Sequence, residues 1–270
     1  MGKCLAYNYV YLCLSLSHRA VMSTAVPKPP YPKAPVTEGV IHLAVEGRAT
    51  PAELEKLVQR FARDYPQQES LAAISVAINT TGGATTVQQQ PQGYRVKSTD
   101  QADILLVFPD GVAASRVAPY PGWEHLRESI QAAWVEWRKG IAYSAIKRIG
   151  IRYINRIDVP IRKAEILDID AYLRFGPRVP DFSKKPLSGF WVQVTRPTDV
   201  AHWSAAVTTA IVSPAPLIDH VSMLLDIDVF RSEQIPDRDA DLWDCIDAAR
   251  PLKNAIFESC ITDEARRLFA

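Results

Sequence analysis

The sequence predicts an α+β protein: a mostly antiparallel sheet with three longer helices packed on one face. Three observations point there. Ala145–Asp158, A-I-K-R-I-G-I-R-Y-I-N-R-I-D, repeats with a period of two, the signature of a strand. Ile104–Phe108 and Val112–Val117 flank Pro109-Asp110-Gly111, a strong hairpin signal. Three longer stretches carry apolar residues at helical spacing instead. The strand-like segments number roughly eight to ten, enough for one large sheet.

Taken in order, 38–46 is rich in Val and Ile and reads as the first strand. Thr50 can cap the helix that follows, Pro51 suits its first turn, and Glu53 can close a capping box. Leu54, Leu57, Val58 and Phe61 form its buried stripe, and it ends before Pro66. Leu71–Asn79 is a strand and Thr80–Gly83 a turn. Thr85–Gln90 and Gly93–Ser98 are two polar, strand-like segments, and the hairpin follows. Pro119-Tyr120-Pro121-Gly122-Trp123 leads into a helix running to Lys139, with Gly140 as its stop. Trp123, Trp134 and Trp137 are expected in the core. Ile166–Phe175 is a strand running into a short helix around Asp168–Leu173, and Gly176–Pro186 is a loop. Phe190–Thr195, Ala201–Val212 and Leu217–Phe230 are strands. Asp239–Ala248 is helical, Leu252–Cys260 continues or restarts it after Pro251, and a capped helix runs to Phe269. The prolines from Pro160 to Pro186 leave two organisations open: a single domain over 37–270, or two similar lobes at 37–160 and 187–270.

Composition narrows the classes. At 270 residues, 47% hydrophobic and 23% charged, the chain is ordinary for a globular protein with one large core or two smaller ones. A net charge of +1 supplies no global field for nucleic acid or anionic lipid, so nucleic-acid binding would need a local basic patch. Cys4, Cys13, Cys245 and Cys260 lack metal or disulfide spacing, which fits free thiols in a cytoplasm. Residues 1–36 are read as lying outside the fold. Residues 1–21 fit either a weak signal peptide, with Ser23-Thr24-Ala25 as cleavage site, or upstream sequence before a true start at Met22; the second is favoured. The stretch is too short to span a membrane. The proline-dense 26–36 reads as an extended arm rather than a ligand for a proline-reading domain.

The candidate site lies on the 145–158 strand. Ile149, Ile151, Tyr153 and Ile157 share one face; Arg148, Arg152, Arg156 and Asp158 share the other. On the strand ending at Phe230, Asp226 and Asp228 share a face with Ser222 and Leu224. If the two strands pair, Asp226 and Asp228 meet Arg152 and Arg156. That makes a cross-strand ion-pair ladder, each pair worth roughly 0.2–1 kcal/mol. The competing reading is a binding face for phosphate or carboxylate formed by Arg148, Arg152, Asn155 and Arg156, with Asp226 and Asp228 beside them. Asp226/Asp228 and Asp168/Asp170 also pair carboxylates, but no third ligand or histidine pair accompanies them, so neither metal nor cofactor is expected. His42, His125, His202 and His220 form no ligand motif. No G-x-S-x-G, P-loop or G-x-G-x-x-G is present, which weighs against the common hydrolase and nucleotide-binding classes.

Several segments together resemble a sporadically distributed family of bacterial and archaeal proteins of unknown function. They are Y-P-K-A-P-V-T-E-G-V-I at 31–41, P-Y-P-G-W at 119–123, R-I-G-I-R-Y-I-N-R-I at 148–157, L-D-I-D-V-F at 225–230 and K-N-A-I-F-E-S-C-I-T-D-E at 253–264. The resemblance runs from about Pro29 to the C-terminus and supports Met22 as the start. It implies no activity, cofactor or catalytic residue; the family's patchy distribution implies an accessory gene in a defence or toxin–antitoxin setting. Here Gly39 stands in the first strand, where it is expected to weaken or bulge it. The expected function is a binding or interaction protein with a protein partner; the alternative is an enzyme acting on a phosphorylated or nucleotide substrate through the Arg/Asp face.

Overall fold

The computed structural model describes residues 31–78, 85–141, 145–161, 167–180, 182, 185, 187–213 and 215–270, with side chains throughout except at 73–78 and 85–91. The start-site and signal-peptide readings and the turn at Thr80–Gly83 lie outside these residues. In chain order the strands are β1 (Val36–Val45), β2 (Gln67–Ile78), β3 (Thr85–Lys97), β4 (Asp103–Phe108), β5 (Gly111–Val117), β6 (Ile146–Pro160), β7 (Trp191–Pro197), β8 (Trp203–Val212) and β9 (His220–Arg231). The helices are α1 (Pro51–Arg60), α2 (Trp123–Gly140), α3 (Asp239–Cys260) and α4 (Asp263–Leu268). The strands form one nine-stranded sheet in the order β2-β3-β4-β5-β1-β6-β9-β8-β7, antiparallel throughout. This is the predicted α+β architecture, and Pro32–Ala270 forms one compact unit.

The topology repeats. From β1 the chain crosses to the far edge at β2, returns by the meander β3-β4-β5 to pair with β1, and ends in α2. From β6 it crosses to the other edge at β7, returns by β8-β9 to pair with β6, and ends in α3. The two opening strands, β1 and β6, pair at the centre.

The period of two sorts the side chains into a helix-covered face and an open face. Ile41 and Leu43 of β1, Ile149, Ile151 and Ile157 of β6, and Met223, Leu225, Ile227 and Val229 of β9 all point to the helices and are fully buried. α1 and α2 pack over β1, β3, β4 and β5, and α3 packs over β9 and β6. Trp123, Trp134 and Trp137 of α2 are buried in this layer, as expected. α1 begins with the predicted capping box: Thr50 accepts from the Glu53 N–H, and Glu53 accepts from the Thr50 N–H at 2.7 Å.

Several elements differ from the pattern-based reading. β3 is one strand rather than two. Its break is a register shift opposite Leu71/Ala72, where Gly93 adopts φ +130° and lies so close to the Val107 carbonyl that no side chain would fit. Of the two alternatives left open at Pro251, the helix continues: α3 runs unbroken through the proline, which sits on its exposed side. Around 166–175 the described residues show a single 3₁₀ turn at Ile169–Ala171 and one bridge, Leu173 to Ile261, instead of a strand. Gly39 causes no bulge; the register shifts of β1 against β6 lie between Val36 and Glu38 and between Ala44 and Val45. A Cβ at Gly39 would stand 3.1–3.2 Å from Tyr120, Leu126 and Tyr153, so the glycine makes room for α2's approach. The chain before β1 is tied to the body: the Lys33 N–H donates to the Phe269 carbonyl and the Arg156 N–H to the Pro35 carbonyl.

Candidate functional site

The arginine row stands on the face of the sheet opposite α1, α2 and α3. The β6–β9 register places Arg152 opposite Asp228 and Ile154 opposite Asp226. The side chains pair diagonally. Arg152 grips Asp226 with a fork, Nε at 2.9 and 3.1 Å and Nη2 at 2.6 Å. Arg148 Nη2 donates to Asp228 at 2.7 Å, and its guanidinium lies over the Phe230 ring. Gly150 leaves the space for this, since a Cβ there would stand 2.3 Å from Arg148 Nη1. Arg156 bonds both oxygens of Asp158, its neighbour two residues on, rather than either aspartate of β9. Ser222 donates to Asp158, and Ser115 to Glu38.

The electrostatics are those of a closed network. Asp226 is only 8% exposed, and its hydrogen bonds raise the pKa of Arg152. Burial pushes the Asp228 carboxyl above its usual range, against the pull of Arg148 and Arg152. On the same face, burial and then Arg148 lower His42 to about 4, so its ring is neutral near pH 7. Each arginine of the row has a carboxylate partner, as the ladder reading expected, with Arg156 differently partnered.

Asn155 does not join them. It is buried on the helix side and donates to the carbonyls of Tyr153 and Leu225, stitching β6 to β9. Asp168 caps the 3₁₀ turn by accepting from the Asp170 N–H, well apart from the β9 pair in sequence and element. No group of three metal-ligating side chains comes together among the described residues. His125 bonds Asp103 at 2.7 Å, beside the Arg116–Asp103 ion pair.

Four of the segments that carry the family resemblance meet beneath the sheet. Gly39 of β1 abuts Tyr120 and Tyr153; the two tyrosine hydroxyls hydrogen-bond; and Lys253 of α3 places Nζ 3.5 Å from the centre of the Tyr153 ring. Burial, and then Arg250, lower Lys253 to about 7, while burial lifts both tyrosines. Around them Arg250 pairs with Glu124, and Asp247 accepts from Trp123 and Arg127. This cluster pins α3 and the start of α2 to the central strands.

A cleft of about 550 Å³ opens elsewhere, where β7 and β8 extend past α3. Val194, Ala205 and Val207 form its floor, Leu252, Ala255 and Ile256 its helix wall, and Phe175 its far side. Arg174 and Arg196 border it, with Asp199 near the β7–β8 turn. Arg174 is anchored by its backbone N–H to the Cys260 carbonyl, and Arg196 rides on β7. Among the described residues neither guanidinium has a carboxylate partner, in contrast to the row on the open face. Cys260, a free thiol with its pKa raised by burial, lies at the cleft's base. Sequence reasoning missed this site because its walls come from four separated segments. The available signal was the Phe190–Thr195 strand, apolar on alternate positions with no helix after it to cover them.

No protein-family model and no curated protein matches this chain. No helix among the described residues is long and apolar enough to cross a membrane.

Proposed function

We propose that the protein is a binding protein that takes an apolar molecule bearing one anionic group in the cleft between α3 and the β7–β8 end of the sheet. The observation behind this is the contrast between two sets of arginines. Arg148, Arg152 and Arg156 are each bound to a carboxylate of the fold. Arg174 and Arg196 face a ready-made cleft with no such partner. A guanidinium beside apolar walls favours a ligand that is mostly hydrocarbon with a carboxylate, phosphate or sulfonate at one end. Two cations against the single Asp199 leave the rim net positive.

The enzyme reading through the Arg/Asp face has less behind it. Its cations are already satisfied, and the larger cavity lies on the other side of the sheet. A smaller one of about 320 Å³ does touch Arg156 and Asp158, but Arg156 is held by Asp158 there.

The test uses 8-anilino-1-naphthalenesulfonate, an apolar anion, as probe. Saturable binding is expected, weakened about tenfold when Arg174→Gln and Arg196→Gln are combined. Ala255→Phe, which fills the helix wall, should remove it. Equal affinity in all three proteins would sink the proposal.

A further inference from the structure

We infer that the outer edge of β7 is a self-association surface, on which a second copy of this chain adds its own β7 antiparallel around a two-fold axis at Val194. This does not depend on the cleft having a ligand.

The argument begins with the backbone. β7 ends the sheet, and among the described residues no strand pairs with its outer side. The Phe190 carbonyl accepts from Ile211, and the Thr198 N–H donates to Trp203; both partners belong to β8. Between those points the register is continuous. Even-numbered residues therefore direct their backbone groups at β8, and Trp191, Gln193, Thr195 and Pro197 direct theirs outward. The outward row has donors at all but Pro197.

Exposed edges are normally blunted by charge, bulges or proline. β7 reads Trp-Val-Gln-Val-Thr and is protected only at its end, by Arg196 and Pro197. Trp191 is 66% exposed and Val194 44%. Of the exposed large hydrophobic residues among those described, all but Val135 fall in the chain between Val179 and Ile218, the span that holds β7. Leu187 and Val200 flank β7 in the chain. Leu217 and Ile218 occupy the β8–β9 turn, which the register places at the Trp191 end.

Self-pairing suits this strand because the sequence is complementary to itself when reversed. Val194 is the middle residue of β7, so a two-fold there overlaps the whole strand. Gln193 then lies opposite Thr195 of the second copy, and the two exchange both backbone hydrogen bonds. Trp191 donates to the carbonyl of Pro197 of the second copy and lays its ring against that proline. On the helix face Val194 meets its own image at the close, non-hydrogen-bonded spacing, and Val192 faces Arg196 of the second copy. No like charges stand opposite each other. The contact is isologous and closed, as a two-fold requires.

Sedimentation equilibrium of the full chain up to about 100 μM tests this. The wild type should show twice the chain mass at the upper concentrations. Thr195→Pro removes an outward donor, leaves the β8 ladder intact and lies outside the cleft lining, so it should give a monomer that still binds the anilinonaphthalene probe. Trp191→Ser should weaken association at least tenfold, which covers the case of a misfolded Thr195→Pro. A wild type that is monomeric throughout, or a dimer untouched by both substitutions, overturns the inference. Loss of probe binding with dimer retained bears on the cleft alone.

Discussion

Lys253 shows how a single side chain can serve the fold at an electrostatic cost. Its stem packs along α3 while its ammonium sits on the Tyr153 ring, half-buried. The ring attracts the cation, but lost hydration outweighs that, and the group falls from 10.5 to about 7. The sign follows by linkage. Between about 7 and 10.5 the unfolded chain holds the proton that the folded one has released, so stability rises with pH across that window. Below pH 7 both states are charged and the burial penalty is present in full. Lys253→Met should therefore unfold at higher urea than wild type at pH 7, with the gap narrowing towards pH 9.5. A gap independent of pH would show that the ammonium is not desolvated. Arg152 illustrates the opposite balance: half exposed, it keeps its water while the fork to Asp226 is made.

At the level of elements, local chemistry and packing support each other to different degrees. α1 is short, so its ends matter. The Thr50–Glu53 box satisfies donors that the first turn leaves free, and Leu54, Leu57 and Val58 bury its apolar stripe. Thr50→Ala should lower stability by about 1 kcal/mol in urea titration without changing the slope; a value near zero would mean that packing alone holds the helix start. α3 makes the reverse point. Pro251 gives up one backbone bond and was legible as a possible break, yet Leu242, Trp243, Ile246 and Ala249 before it are buried against the sheet and the helix continues. Burial of that size outweighs one missing donor. β6 is both the clearest strand in the sequence and central to the sheet: it pairs with β9 within its own half and with β1 where the two repeating halves join.

For the molecule as a whole, stability should be graded from centre to edge. β1, β6 and β9 are paired on both sides and covered by helices, whereas β7 is paired on one side and overhangs α3. Native-state hydrogen exchange should find the slowest amides in β1, β6 and β9, exchanging only by global opening, and the fastest sheet amides in β7. Uniform protection across the sheet would contradict this gradient. The same geometry sets where ligands can act. The open face is polar and paired to itself, and the helix layer ends short of β7 and β8, leaving the cleft and a free edge side by side.

The sequence by itself determined the α+β class, the capping box, the tryptophan core and the two faces of β6, because each depends on a period or a spacing within one segment. It also pointed to Asp226 and Asp228 as partners for the arginines, since charges on facing strands seek one another. Only the tertiary structure decided which pairs formed: a diagonal fork for Arg152, Asp228 for Arg148, and the local Asp158 for Arg156. It alone brought Tyr120, Tyr153 and Lys253 together and left Arg174 and Arg196 beside a cleft. Those outcomes depend on strand order, register and where a helix layer stops, and none of the three is encoded within a single stretch of chain.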